Sequence, residues 1–295
     1  MQLKRAESYL GGTMRLPLCA ALVLGSALYV AAQTSRPSDL TIVTQTVHGD
    51  VTWTETEYIK GPRSRLEVNI SMQRPGRQND PMNRLSELMS KHPQATIVQC
   101  DQHQQLSLDL LGHEYSSTEI DDLGDPVRHT PPMETQPSGA TVTVTIETTD
   151  TGERKQFFGR TARHVITKES SVAGPGAVSS FSSSERDGWY IDLDVNTGCG
   201  KRSRTGGGVL GAVLGGSVGG VHSVPKIDKI EWKYIGTPVN GLPVELVMRQ
   251  LPDSDGREPD PSAVSHSEVT ELSTAPIDPS QFEVPAGFTK VDHLK

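Results

Sequence analysis

Between Ala140 and Ile146 the chain sets an apolar residue at every second position, with a threonine in each gap. In an extended backbone, successive side chains point to opposite faces, so this run has one apolar face and one polar face. That is the pattern of a half-buried strand in an antiparallel sheet; a parallel-sheet strand would be apolar on both faces. The same period of two appears in Leu40 and Ile42, in Val51, Trp53 and Glu55, and in Leu66, Val68 and Ile70. His48-Gly49-Asp50 and Lys60-Gly61-Pro62 separate these three strands as turns. Further strands are predicted at 94–100, 104–111, 113–119, 154–159, 161–169, 187–194, 226–235, 243–251, 263–273 and 281–284. Asp253-Ser254-Asp255-Gly256 forms a turn between the strands at 243–251 and 263–273.

Two stretches read as helical. Asp80-Pro81 starts a short helix to about Lys91 that puts Met82, Leu85, Leu88 and Met89 on one face, where they could act as a lid, and Pro93 ends it. The other is the glycine-rich segment 205–221. Long loops are expected at 72–80, 121–139 and 171–186, which are rich in Pro, Gly, Ser and Asp. No internal repeat and no linker divides the chain, so residues 33–295 are read as one β-rich domain with a glycine-rich insertion at 205–221.

The N-terminus has the three parts of a secretory signal peptide. Met14-Arg15 opens it, an apolar run extends from Leu16 to Val30, and Val30-Ala31-Ala32 supplies the small residues for cleavage before Gln33. The run is too short for a membrane span of roughly 20 residues. Met14 is therefore read as the true start, and residues 1–32 as extension plus signal peptide. The expected location is extracytoplasmic, in the periplasm. Residue Cys19 lies inside the apolar run without the small residue before it that lipidation requires. Beyond the cleavage point two cysteines remain, Cys100 and Cys199, in a compartment where disulfides persist. They either pair, closing a loop of about 100 residues, or stand as two free thiols.

A formal net charge of −8 argues against a nucleic-acid partner, which needs clustered Lys and Arg. The one basic cluster, Lys201, Arg202 and Arg204, leads into Gly207, Gly211, Gly215 and Gly219, one glycine every four residues. On a helix those glycines would share a face and allow close approach, so 201–221 is either a transient membrane or partner contact or a weakly apolar loop. Gly215-Gly216-Ser217-Val218-Gly219 matches the serine-hydrolase elbow, but no alternating strand-helix units surround it. Catalysis at Ser217 is therefore the third reading of function. Asp192-Leu-Asp194-Val-Asn196-Thr-Gly198 resembles the start of a calcium loop, yet Thr197 and Ser203 stand where glycine and a bidentate glutamate are needed. No His-x-His or His-x-x-x-His pair exists to bind zinc, and no metal or cofactor is expected. Glu55 with Glu57, and Asp121 with Asp122, are acidic neighbours of an ordinary surface kind.

Several short segments carry a family resemblance. Tyr58-Ile59-Lys60-Gly61-Pro62-Arg63-Ser64-Arg65-Leu66-Glu67-Val68, Thr96–Asp101, Gln105–Asp109 with Tyr115, Trp189–Leu193, Gly241–Glu245 and Phe282–Phe288 together resemble the extracytoplasmic half-barrel proteins related to the Lol-type lipoprotein carriers. The similarity is greatest to their secreted relatives, and it spans about residues 39–290. The segment 205–221 departs from the pattern. The resemblance implies a mainly all-β fold: a curved antiparallel sheet forming an unclosed β-barrel, with one or two short helices. It also implies a non-catalytic protein that binds a lipid or lipoprotein acyl chain on an apolar concave face, for which Val142, Val144 and Ile146 are the candidate lining. A structural or interaction module of the cell envelope is the alternative reading.

Overall fold

The computed structural model describes residues 38–49, 51–72, 93–127, 135–179, 183–195, 199, 226–252 and 264–294. These belong to one compact unit, Ser35–Lys295. Thirteen strands form a single sheet, and no α-helix occurs among the described residues. In chain order they are β1 (Asp39–His48), β2 (Val51–Lys60), β3 (Arg63–Met72), β4 (Gln94–Gln99), β5 (Gln104–Asp109), β6 (Glu114–Glu119), β7 (Gln136–Phe157), β8 (Arg160–Ala173), β9 (Ser184–Ile191), β10 (Lys226–Gly236), β11 (Leu242–Gln250), β12 (Ser265–Ser273) and β13 (Thr289–Lys290). The spatial order is β10-β7-β8-β9-β11-β12-β1-β2-β3-β4-β5-β6-β13, so the sheet ends at β10 and β13 and does not close.

Curvature follows from how the chain spans it. Ile191 ends β9, and eight residues later Cys199 is joined to Cys100 at the end of β4, with the two Cα atoms 5.2 Å apart. Five strands lie between β9 and β4. On a flat sheet those six spacings come to about 29 Å, the entire reach of eight extended residues. Yet Leu193, on that path, is buried in a cluster with Leu40 and Ile42 of β1, Ile59 of β2, Ala162 of β8, Leu242 and Val244 of β11 and Val269 of β12. Bending of the sheet around this cluster brings the distant strands together.

Three features depart from the sequence reading. The two outermost pairings, β10 with β7 and β13 with β6, are parallel; all the others are antiparallel. The runs at 140–146 and 154–159 are one strand of 22 residues, because a register shift between Asp150 and Arg154 lets β7 continue against β8 through the polar stretch. β7 and its neighbours also take in residues 136–139, 171–173 and 184–186, which the sequence assigned to loops. Finally, 281–284 is not a strand. Asp278 caps a single 3-10 turn at Pro279–Phe282 by accepting from Ser280 N, with Pro279 at its first position. The predicted helix at 81–91, the turn at 253–256 and the segment 205–221 lie outside the described residues.

That 3-10 turn belongs to a C-terminal strap laid over one face of β1–β6. Ile277, Phe282, Val284 and Phe288 pack against Ala95, Ile97, Leu106 and Leu108, with Tyr58 and Tyr115 at the edge. Polar side chains on the same face anchor it. Asp39 accepts from Ile277 N at 2.7 Å and from Lys60 Nζ at 2.6 Å. The Arg65 guanidinium donates to Gln281 O, buried Gln99 donates to Phe282 O at 2.7 Å, and Arg63 bridges Asp101 and Glu283. The Ile277 amide and then the Lys60 ammonium hold the Asp39 carboxyl below its ordinary value of 3.8. Because the folded value is lowered, this contribution is complete above the ordinary value and is lost as pH falls through the lower, folded one. Asp39→Ala should release the strap locally: the Ile277 amide should exchange with deuterium at least tenfold faster, while core amides of β8 and β9 keep their protection. Unchanged exchange at Ile277 would show that the apolar contacts alone hold the strap.

Candidate functional site

Residues from Val142 to Asp150 pair in unbroken register with β8 residues from Val165 to Ala173, so Val142, Val144 and Ile146 share a face with Ala173, Ser171 and Glu169. On the other side they pair with Ile230, Trp232 and Tyr234 of β10. Val142 and Val144 are both 0% exposed and Ile146 is half-buried. The threonines on the opposite face, Thr141, Thr143 and Thr145, are half-buried rather than out in solvent. On this face Val142 and Val144 are covered by the chain itself, and Ile146 only in part.

A partly open apolar face lies on β2 and β3 instead. Trp53 pairs with Ile70, Glu55 with Val68, and Glu57 with Leu66, so alternation gives these six residues one face of the two strands. Ile59 and Ser64 continue it toward Val98 of β4, on the side opposite the strap. Ile70 and Val51 are buried, while Trp53, Leu66 and Val68 remain half-exposed. Glu57 is buried on this face and Glu55 is half-buried; both are engaged in interactions. The sequence marked Trp53, Leu66 and Val68 only as strand residues. Their distinguishing property is incomplete cover, which depends on tertiary neighbours.

A second constellation is on β7–β9. His164 Nε2 lies 2.6 Å from Asp187 Oδ1, and its Nδ1 lies 3.1 Å from Glu153 Oε2 and 3.1 Å from Thr151 Oγ1. The ring stacks on Trp189 at 4.8 Å, and Lys155 Nζ sits 4.4 Å above the Phe157 ring and 3.1 Å from Glu245. The hydroxyl, imidazole and carboxylate have the outline of a nucleophile, base and orienter. Each ring nitrogen also faces a carboxylate, Asp187 on one side and Glu153 on the other. These contacts tie the four strands β7, β8, β9 and β11 together. Its members are dispersed between 151 and 245; the register shift between Asp150 and Arg154 leaves Thr151 and Glu153 beside His164, which the β8–β9 register sets opposite Trp189.

Other sequence candidates resolve individually. Cys100 and Cys199 form a disulfide flanked by Val98 and Ile120. Leu193 is core, which leaves Asp192 and Asp194 as the polar neighbours of a buried anchor; Asn196 and Gly198 lie outside the described residues. His103 and His113 both take left-handed backbone angles at tight turns, with φ of 50° and 53°. Asp121 accepts from Leu123 N and Asp125 N and so shapes a loop. Met82, Leu85, Leu88, Met89, the basic cluster at 201–204 and Ser217 are outside the described residues. Among the described residues, no group of three or more His, Cys, Asp or Glu is placed to hold a metal ion.

No protein-family model matches the chain, and a comparison with curated proteins finds no match. The fold defines a class, a large unclosed all-β sheet with a C-terminal strap.

Proposed function

We propose that this chain is a non-catalytic extracytoplasmic protein that binds a lipid or lipoprotein acyl chain against the uncovered apolar part of its sheet. The observation that supports this reading is the half-exposed trio Trp53, Leu66 and Val68, beside buried Val51 and Ile70 on the same face of β2 and β3. An acyl chain laid there removes apolar surface from water, worth about 25 cal/mol per Å². The candidate binding residues are therefore these three, in place of Val142 and Val144, which are already covered. The Cys100–Cys199 bond suits an oxidising compartment, and the Lol-type resemblance and the signal-peptide pattern point the same way. A structural module of the cell envelope is the second reading. It is favoured by the strap and the cluster around Ile191, which fill much of both faces with the protein's own side chains.

Native mass spectrometry of the protein purified from its own host should show a co-purifying lipid mass, and the stripped protein should bind a dansyl-labelled fatty acid. Val68→Glu places a charge on the half-exposed part of the face. It should weaken probe binding at least tenfold while the variant keeps a cooperative melt. A wild type that carries no lipid and never binds the probe removes the carrier reading and leaves the structural module.

A further inference from the structure

Among the described residues β10 is one end of the sheet, eleven residues long and paired on one side only, with β7. Edge strands are normally short, charged, bulged or covered, because the free backbone groups of a long, flat, apolar edge recruit another strand. This strand carries charges and a register shift near its start, yet it leaves large apolar side chains exposed: Ile227 is 50% exposed, Trp232 51%, Tyr234 66% and Ile235 42%. Its register with Val142, Val144 and Ile146 puts Ile230, Trp232 and Tyr234 on one face and Glu231 and Lys233 on the other. Lys229 and Glu231 form an exposed pair at 2.6 Å on that second face.

Around Trp232 the strand reads Ile230-Glu231-Trp232-Lys233-Tyr234, which is complementary to its own reverse. An antiparallel copy centred on Trp232 sets Glu231 opposite Lys233 and Lys233 opposite Glu231. On the other face Trp232 meets Trp232, and Ile230 meets Tyr234. Every cross-strand pair near the centre is then opposite in charge or apolar on both sides, the two kinds of pair that stabilise antiparallel ladders. A two-fold axis requires this self-complementarity of one patch. We propose that β10 is a self-recognition edge through which two copies of this chain join antiparallel, making one continuous sheet across a two-fold dimer. Backbone pairing supplies the adhesion, the aromatic face is taken out of water, and the Glu231–Lys233 pairs fix the register.

The test is sedimentation equilibrium of the purified full-length chain, with two charge variants at exposed positions and circular dichroism as the control for folding. The wild type should show a concentration-dependent monomer–dimer equilibrium. Lys233→Glu and Glu231→Lys each set like charges opposite one another twice, and each should raise the dimer Kd at least about tenfold. Mixing the two variants should restore association, because the heterodimer again pairs unlike charges at both positions. A wild type that stays monomeric up to about 100 µM overturns the proposal, as does a dimer indifferent to both substitutions or a mixture that fails to recover. A monomer that floats with anionic lipid vesicles through Trp232 and Tyr234 would assign the patch to a membrane surface and equally overturn it.

Discussion

Val144→Glu is expected to leave no cooperative thermal melt and little soluble protein. Val144 is 0% exposed in the longest strand of the sheet, between Ser171 of β8 and Trp232 of β10, and its neighbour Val142 is equally covered. A carboxylate there has no route to water. Burying it unpaired costs several kcal/mol, and protonating it instead still leaves a polar group without a partner. Set against a typical net stability of about 5–15 kcal/mol, together with the lost packing of the valine, this is a large fraction of the whole. The control is one strand away. Val172 of β8 is 70% exposed and pairs with Thr143, so Val172→Glu should change stability by no more than about 0.5 kcal/mol. A Val144→Glu protein that melts like the wild type would show that the valine face opens to solvent, and would return it to the list of ligand-binding surfaces.

The alternation of valine and threonine was enough to read a strand, because side-chain direction in an extended chain is a local property. What lies over each face is not local. Val142 is fully covered and Leu66 only half, although both sit in similar apolar-polar alternation. Lys60, Arg63 and Arg65 lie in one of the segments that carry the resemblance, and their visible work is to anchor the C-terminal strap through Ile277, Glu283 and Gln281. Phe282-Glu283-Val284 imitates a strand by its alternation, but Pro279 fixes the backbone angle and Asp278 satisfies the free amide of a tight turn. Parallel pairing at β10 was illegible for a related reason. An exposed strand with mixed residues fits either direction, and only the path of the chain from β9 to the sheet's edge decides it. No sequence spacing marks the cluster of Glu153, His164 and Asp187, because it depends on a register shift in β7 and on the pairing of β8 with β9.

Breaking the Cys100–Cys199 bond is the other change expected to have a large effect. The two cysteines are separated by 99 residues, a span that includes strands β5 to β9. In the chain-entropy model, closing a loop of that size removes about 4–5 kcal/mol of unfolded-state freedom. For a domain of this length that corresponds to a fall in Tm of roughly 10–15 °C in Cys100→Ser/Cys199→Ser or in fully reduced protein. The native contribution should act locally as well. Cys199 is 5% exposed against Val98 and Ile120, and Gly124, with a φ of +84°, lies so close that an added Cβ would stand 3.1 Å from the Cys199 Cβ. The bond thus holds the chain leaving β9 against the end of β4. Its loss should raise amide exchange around residues 120–125 and 193–195 before it affects β1 or β12. The non-reduced protein should run faster than the reduced protein on a denaturing gel. Quantitative labelling of both thiols without reductant, or a melt that reduction does not shift, would show that the curvature is held by the apolar cluster around Leu193 alone.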